Sequence, residues 1–156
     1  MMTLLLANNA ILLRALSRHL GRRNPPDNTE LHPPEWLLTA PAAQMQRPRA
    51  EFALLDCSST EADPVALIDA LCARISPRRW LLIAPPGATE LTRIAAFVGA
   101  SGCLFSPVPP ELLSAAVAMV CAGGHCFPKA GLGWQLSTRS PTSFSNFLLP
   151  GSTASG

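Results

Sequence analysis

The sequence has little excess charge of either sign: 12 lysines and arginines stand against 10 aspartates and glutamates, a formal net charge of +2. That balance gives no general argument for nucleic acid or an anionic membrane as a partner. The early basic residues Arg14, Arg18, His19, Arg22 and Arg23 read as one solvated helix face. Also missing is an unbroken apolar stretch of the ~20 residues that a membrane-spanning helix needs. Residues 1–7 are mostly apolar but have no basic flank, and Asn8-Asn9 interrupts them, so they do not read as a signal sequence. The five cysteines, Cys57, Cys72, Cys103, Cys121 and Cys126, are odd in number and show no disulfide spacing. A reducing, cytoplasmic setting is therefore expected. Cys121, His125 and Cys126 lie close together, but no second ligand pair follows; no metal is expected, and the cysteines read as small buried hydrophobes. No nucleophile–base pairing and no phosphate-cradling glycine loop is found, so the chain does not read as an enzyme.

What is present is apolar material. Hydrophobic residues make up 48% of the 156 residues and the mean hydropathy is +0.24, enough for one domain with a full core and a short remainder. The central run is Glu51-Phe-Ala-Leu-Leu-Asp56-Cys57, continuously apolar until it ends on a carboxylate. Such a run reads as a buried parallel strand with Asp56 at the sheet edge where α/β folds keep their sites.

Around it, strands are expected at Leu4–Ala7, Trp36–Ala40, Trp80–Ala84 and Cys103–Phe105. Leu12, Leu13, Leu16 and Leu20 recur at helical spacing, and Asn8 or Asn9 can cap that helix. Pro41 to Ala50 predicts at most a short irregular helix. Val65, Leu67, Ile68, Leu71, Cys72 and Ile75 form a further apolar stripe, with Asp63 or a neighbour as cap and Pro64 in the first turn. Leu91, Ile94, Ala95 and Val98 mark a fourth helix. The last helix starts at Pro109-Pro110-Glu111 and ends at Gly123-Gly124. Strands alternating with helices imply βαβ units: a doubly wound (βα)5 domain, flavodoxin-like, with a parallel five-stranded sheet between two helical layers.

In order and spacing, about residues 3 to 130 resemble the receiver domain of bacterial two-component response regulators, most closely those carrying a LuxR-type helix-turn-helix. The resemblance is carried by Leu5-Leu-Ala-Asn-Asn-Ala-Ile-Leu-Leu-Arg14, Phe52-Ala-Leu-Leu-Asp56, Gly99-Ala-Ser-Gly-Cys-Leu-Phe-Ser-Pro-Val-Pro-Pro-Glu-Leu-Leu113 and Ala122-Gly-Gly-His-Cys-Phe127. It implies that Asp56 is the phosphoacceptor equivalent. It also implies an acidic pair that helps to hold Mg²⁺, a hydroxyl residue ending the fourth strand and a lysine ending the fifth. Those positions hold Asn8 and Asn9, Ala84, and Ser106. Amides bring no negative charge to Mg²⁺, and losing a fixed oxyanion stabiliser costs ~2.7–4 kcal/mol. The expectation is a degenerate receiver, a pseudo-receiver, with no cofactor and with Mg²⁺ binding weak or absent. The resemblance further implies a cis peptide before Pro107.

After Lys129 the composition changes. Leu136-Ser-Thr-Arg139 resembles the opening of a LuxR-type DNA-binding domain, but Ser140 to Gly156 carries no charged residue. Residues 131–156 therefore read as a disordered tail, the possible start of a truncated or frameshifted helix-turn-helix domain, and no direct nucleic-acid binding is expected. Three functions compete. One is a phosphorylation-independent interaction module in signal transduction or transcription control, docking a partner or a second copy through the fourth and last helices. Another is a receiver that takes phosphate from a histidine kinase on Asp56. The third is a remnant of a transcription regulator.

Overall fold

The computed structural model describes residues 2–21, 29–45, 49–129 and 133–137. Strand β1 (Met2–Leu6) leads into helix α1 (Ala10–Gly21). Strand β2 (Thr29–His32) is followed by two single turns of helix, α2 (Trp36–Thr39) and α3 (Ala42–Met45). Strand β3 (Ala50–Asp56) leads to α4 (Pro64–Ala70), which runs on into a π-helical turn, Leu71–Ile75. Then come β4 (Arg79–Ala84), α5 (Thr89–Phe97), β5 (Gly102–Phe105) and α6 (Pro110–Cys121). The described chain closes with β6 (His125–Lys129) and β7 (Gly133–Ser137).

The strands form a single sheet in the order β2-β1-β3-β4-β5-β6-β7, parallel throughout except for the last pair. The central strands are buried on both faces, which is why their sequences run apolar without alternation. On one face, Leu4, Leu6, Leu55, Leu82 and Cys103 pack against Leu37 of α2, Leu67 and Ile68 of α4, and Leu91 and Ala95 of α5. On the other, Leu5, Phe52, Leu54, Leu81, Ile83 and Leu104 pack against Leu16 of α1 and Leu113, Ala116, Val117 and Val120 of α6. The result is the three-layer α/β arrangement expected, with a CheY-like, flavodoxin-type topology.

Three expectations need correction. Trp36–Ala40 is not a strand: the turn following Pro33-Pro34 winds it into helix, with the Trp36, Leu37 and Leu38 amides donating to the carbonyls of Pro33, Pro34 and Glu35. The second strand is instead Thr29–His32, whose mixed polarity suits a strand paired only to β1. The sheet also exceeds five strands, because β6 continues it beside β5 and β7 folds back on β6. Residues 133–137 thus lie in a strand rather than in a tail beginning at 131. Residues 138–156 are outside the described residues.

Close approach at one glycine makes the sixth strand possible. A Cβ on Gly102 would stand 2.5 Å from the Cys126 carbonyl oxygen and 2.7 Å from Leu81 Cδ1. Only a residue without a side chain lets β6 reach β5 there.

Candidate functional site

The parallel strands β1, β3, β4 and β5 lie side by side in register, so their C-terminal ends share one edge of the sheet. Asp56 ends β3 opposite Ile83 of β4, and Ala84 lies opposite Phe105 of β5. Asn8 and Asn9 follow β1, and Ser106 follows β5, where its amide donates to the Ala84 carbonyl at 2.8 Å. The fold therefore gathers Asn8, Asn9, Asp56, Ala84 and Ser106 at one edge. The Ser106–Pro107 peptide is cis.

Each position does something specific. Asp56 is only 3% exposed. Its Oδ1 accepts from the Ser58 amide at 2.8 Å and from the Ser58 hydroxyl at 2.6 Å. These bonds stand in for the water lost on burial. Ala84 is fully buried and offers only a methyl group. Asn9 caps α1: its Oδ1 accepts from the Leu12 amide at 3.2 Å. Asn8 does not cap; its amide nitrogen donates to the Ser59 carbonyl at 3.2 Å and toward Glu35 Oε1 at 3.5 Å.

Sequence reasoning missed Glu35. It sits in the turn between β2 and α2 and reaches the same edge, where its Oε1 accepts the Thr60 hydroxyl hydrogen bond. That bond, above all, holds the Glu35 carboxyl below its ordinary pKa despite partial desolvation. No local pattern could have pointed to it, because the contact spans 25 residues. Close by, His32 stacks on Trp36 with ring centroids 4.0 Å apart, and burial lowers the His32 pKa.

Cys57, Cys103 and Cys126 are buried in the core, while Cys72 and Cys121 are half-buried. Burial pushes the thiols of Cys57, Cys103 and Cys126 up to about 12, and Thr92 Oγ1 lies 3.2 Å from Cys103 Sγ. Among the described residues no group of three or more His, Cys, Asp or Glu is placed to hold a metal ion. No helix among them is long and apolar enough to cross a membrane.

No protein-family model matches the chain, and no curated protein does. Solved structures do match. The receiver domain of AraT, a response regulator from Geobacillus stearothermophilus, aligns over 78% of this chain and 92% of its own, at 15% identity and a TM-score of 0.57. A LuxR family DNA-binding response regulator from Silicibacter pomeroyi aligns over 79% and 93%, at 23% identity and a TM-score of 0.52. A pilus assembly protein, CpaE from Caulobacter crescentus, aligns over 74% and 88%, at 16% identity and a TM-score of 0.53. At these identities the likeness is one of fold: the chain is built as response regulator receiver domains are.

Proposed function

We propose that this chain is a phosphorylation-independent pseudo-receiver, a cytoplasmic module that works by binding protein rather than by accepting phosphate. The observation that carries the proposal is the state of Asp56. Its Oδ1 is occupied by Ser58, and the positions that would assist phosphoryl transfer hold Asn8, Asn9, Ala84 and Ser106. An in-line attack on a phosphoryl group depends on positioning and on charge neutralisation. None of these four side chains carries a charge to supply it.

The same donor set fits Mg²⁺ poorly. A divalent ion in such a pocket is normally bound through one or two carboxylates. Asn8 and Asn9 are amides engaged with Ser59 and the start of α1, and the Glu35 carboxylate is engaged with Thr60. That leaves Asp56 as the remaining carboxylate at this edge, with one of its two oxygens already taken by Ser58. No step of the proposed function passes through a metal.

Binding is assigned to α5 and α6, the fourth and last helices of the sequence reading. Phe97, at the end of α5, is 91% exposed, and Val98 beside it is exposed too. A large aromatic held in water is costly unless something covers it.

The deciding experiment is intact mass after incubation with Mg²⁺ and acetyl phosphate, with Asp56→Asn as control. The expected result is no phosphate-sized gain in folded protein. A gain that Asp56→Asn abolishes would establish instead a receiver that takes phosphate on Asp56, with a histidine kinase as its natural donor.

A further inference from the structure

The loop after β3 is tied down residue by residue. Ser58 bonds Asp56, the Ser59 carbonyl accepts from Asn8, and the Thr60 hydroxyl bonds Glu35. The Thr60 hydroxyl also accepts the Ala62 amide at 3.1 Å, just before Asp63 caps α4. A hydroxyl has one proton to give. Here it goes to Glu35, leaving the oxygen's lone pairs to Ala62. The Asn8 amide has two hydrogens and two recipients, the Glu35 carboxylate and the Ser59 carbonyl.

Glu35 is the carboxylate that the Thr60 and Asn8 bonds share, and its base is rigid. Pro33 and Pro34 precede it, and its own carbonyl accepts from the Leu38 and Thr39 amides and the Thr39 hydroxyl. The segment it begins, α2, is fixed in turn by Arg74, which donates to the Leu37 carbonyl at 2.6 Å and to that of Ala40. A charged acceptor on a fixed base strengthens each bond it receives, roughly twofold over a neutral pair.

We propose that Glu35 is a latch: its carboxylate, joined to Thr60 and Asn8, clamps the β3–α4 loop to the loops after β1 and β2 and holds this edge in one conformation. The proposal deepens, and for its regulatory meaning rests on, the phosphorylation-independent reading. The edge that carries Asp56 is held in one state by a built-in carboxylate instead of by an added phosphoryl group.

Amide hydrogen exchange by NMR tests the latch in the full chain. Glu35→Ala is expected to speed exchange of the Ala62 amide about tenfold, the equivalent of one charge-assisted bond, with Leu54 and Leu82 in the sheet unchanged. Glu35→Gln keeps a neutral acceptor and is expected to give about threefold. Thr60→Val also removes the acceptor of the Ala62 amide, so it should speed that exchange at least as much as Glu35→Ala. Adding Glu35→Ala to Thr60→Val should change little more, because their shared bond is already gone. Unchanged Ala62 exchange in folded Glu35→Ala would overturn the latch. So would acceleration shared equally by Leu54 and Leu82, or fully additive effects in the double variant. Phosphate uptake by the wild-type chain would sink the phosphorylation-independent reading, while the exchange rates decide the clamp separately.

Discussion

Ser58 donates both its backbone N–H and its hydroxyl to the same oxygen of Asp56, at 2.8 and 2.6 Å. The two residues form a closed turn in which a buried carboxylate is satisfied by its own following loop. A group so occupied behaves as a structural acceptor.

Removing the hydroxyl measures that role. Ser58→Ala keeps the amide bond and is expected to cost about 1.5 kcal/mol, the lower range for a hydrogen bond to a charged group. Urea denaturation followed by circular dichroism reads it as a lowered midpoint with an unchanged slope. An unchanged midpoint would show that the hydroxyl contributes nothing to holding Asp56.

Arg74 supports the site from behind. Its guanidinium bonds two carbonyls of the α2 segment that carries Glu35 and Trp36. Arg74→Ala is expected to destabilise the protein by about 2 kcal/mol. Arg74→Lys should recover little of this, since an ammonium lacks the planar fork that spans two carbonyls. Thermal melts of the three proteins check both statements. Full rescue by lysine would mean that charge alone is needed there.

The buried thiols predict slow chemistry and alkaline lability. Cys57, Cys103 and Cys126 are pushed up to about 12, from an ordinary 9.0, by desolvation. Thiolate, not thiol, is the nucleophile, so a thiol reagent at pH 8 should leave these three unlabelled in native protein and label them after denaturation. The sign of the pH effect follows. In the unfolded chain they ionise near 9.0, but in the folded protein only near 12. The stability they contribute is whole below pH 9 and falls as pH rises toward 12. Melting temperatures taken across that range would show the decline, and flat values would contradict it.

Gly102→Ala places a methyl group against the Cys126 carbonyl and Leu81. Overpacking of this kind costs about 1–3 kcal/mol, and here it should be felt first as loss of the β5–β6 pairing. Faster exchange of the Cys126 amide, which donates to the Ser101 carbonyl at 3.0 Å, is the expected sign. Gly124→Ala, by contrast, meets only the side chain of Met119 within 3.0 Å, which is flexible, and should be milder.

Much of this was legible in the sequence because the central strands must be apolar on both faces. Leu4–Leu6, Phe52–Leu55 and Leu81–Ile83 could be recognised from composition alone. Asp56 stood out because a carboxylate ended such a run. Strand β2 was illegible for the opposite reason: Thr29-Glu-Leu-His pairs on one side only and has no need of a continuous apolar run. Trp36-Leu-Leu has the residues of a strand, yet the turn after Pro33-Pro34 and the bonds from Arg74 bend it into helix. Cys126-Phe127 gave no strand signal, since its partner register depends on the bare Gly102. Glu35 was invisible because nothing near it in the chain reports a neighbour 25 residues away.

The strand order carries a consequence for synthesis. From β3 onward, each new strand is laid on the outer flank of the one before it: β3, β4, β5, β6, β7. The sheet can therefore widen in one direction as the chain leaves the ribosome, without a later strand having to insert between earlier ones. Each flank is bare only until its successor emerges. For β5 the wait covers the 20 residues from Phe105 to His125, roughly one to four seconds at ordinary translation rates. During that interval an unpaired strand edge is open to the wrong neighbour. A nascent chain halted after α6 would stay in that state, which makes β6 a guard on the growing sheet as well as a part of the finished one.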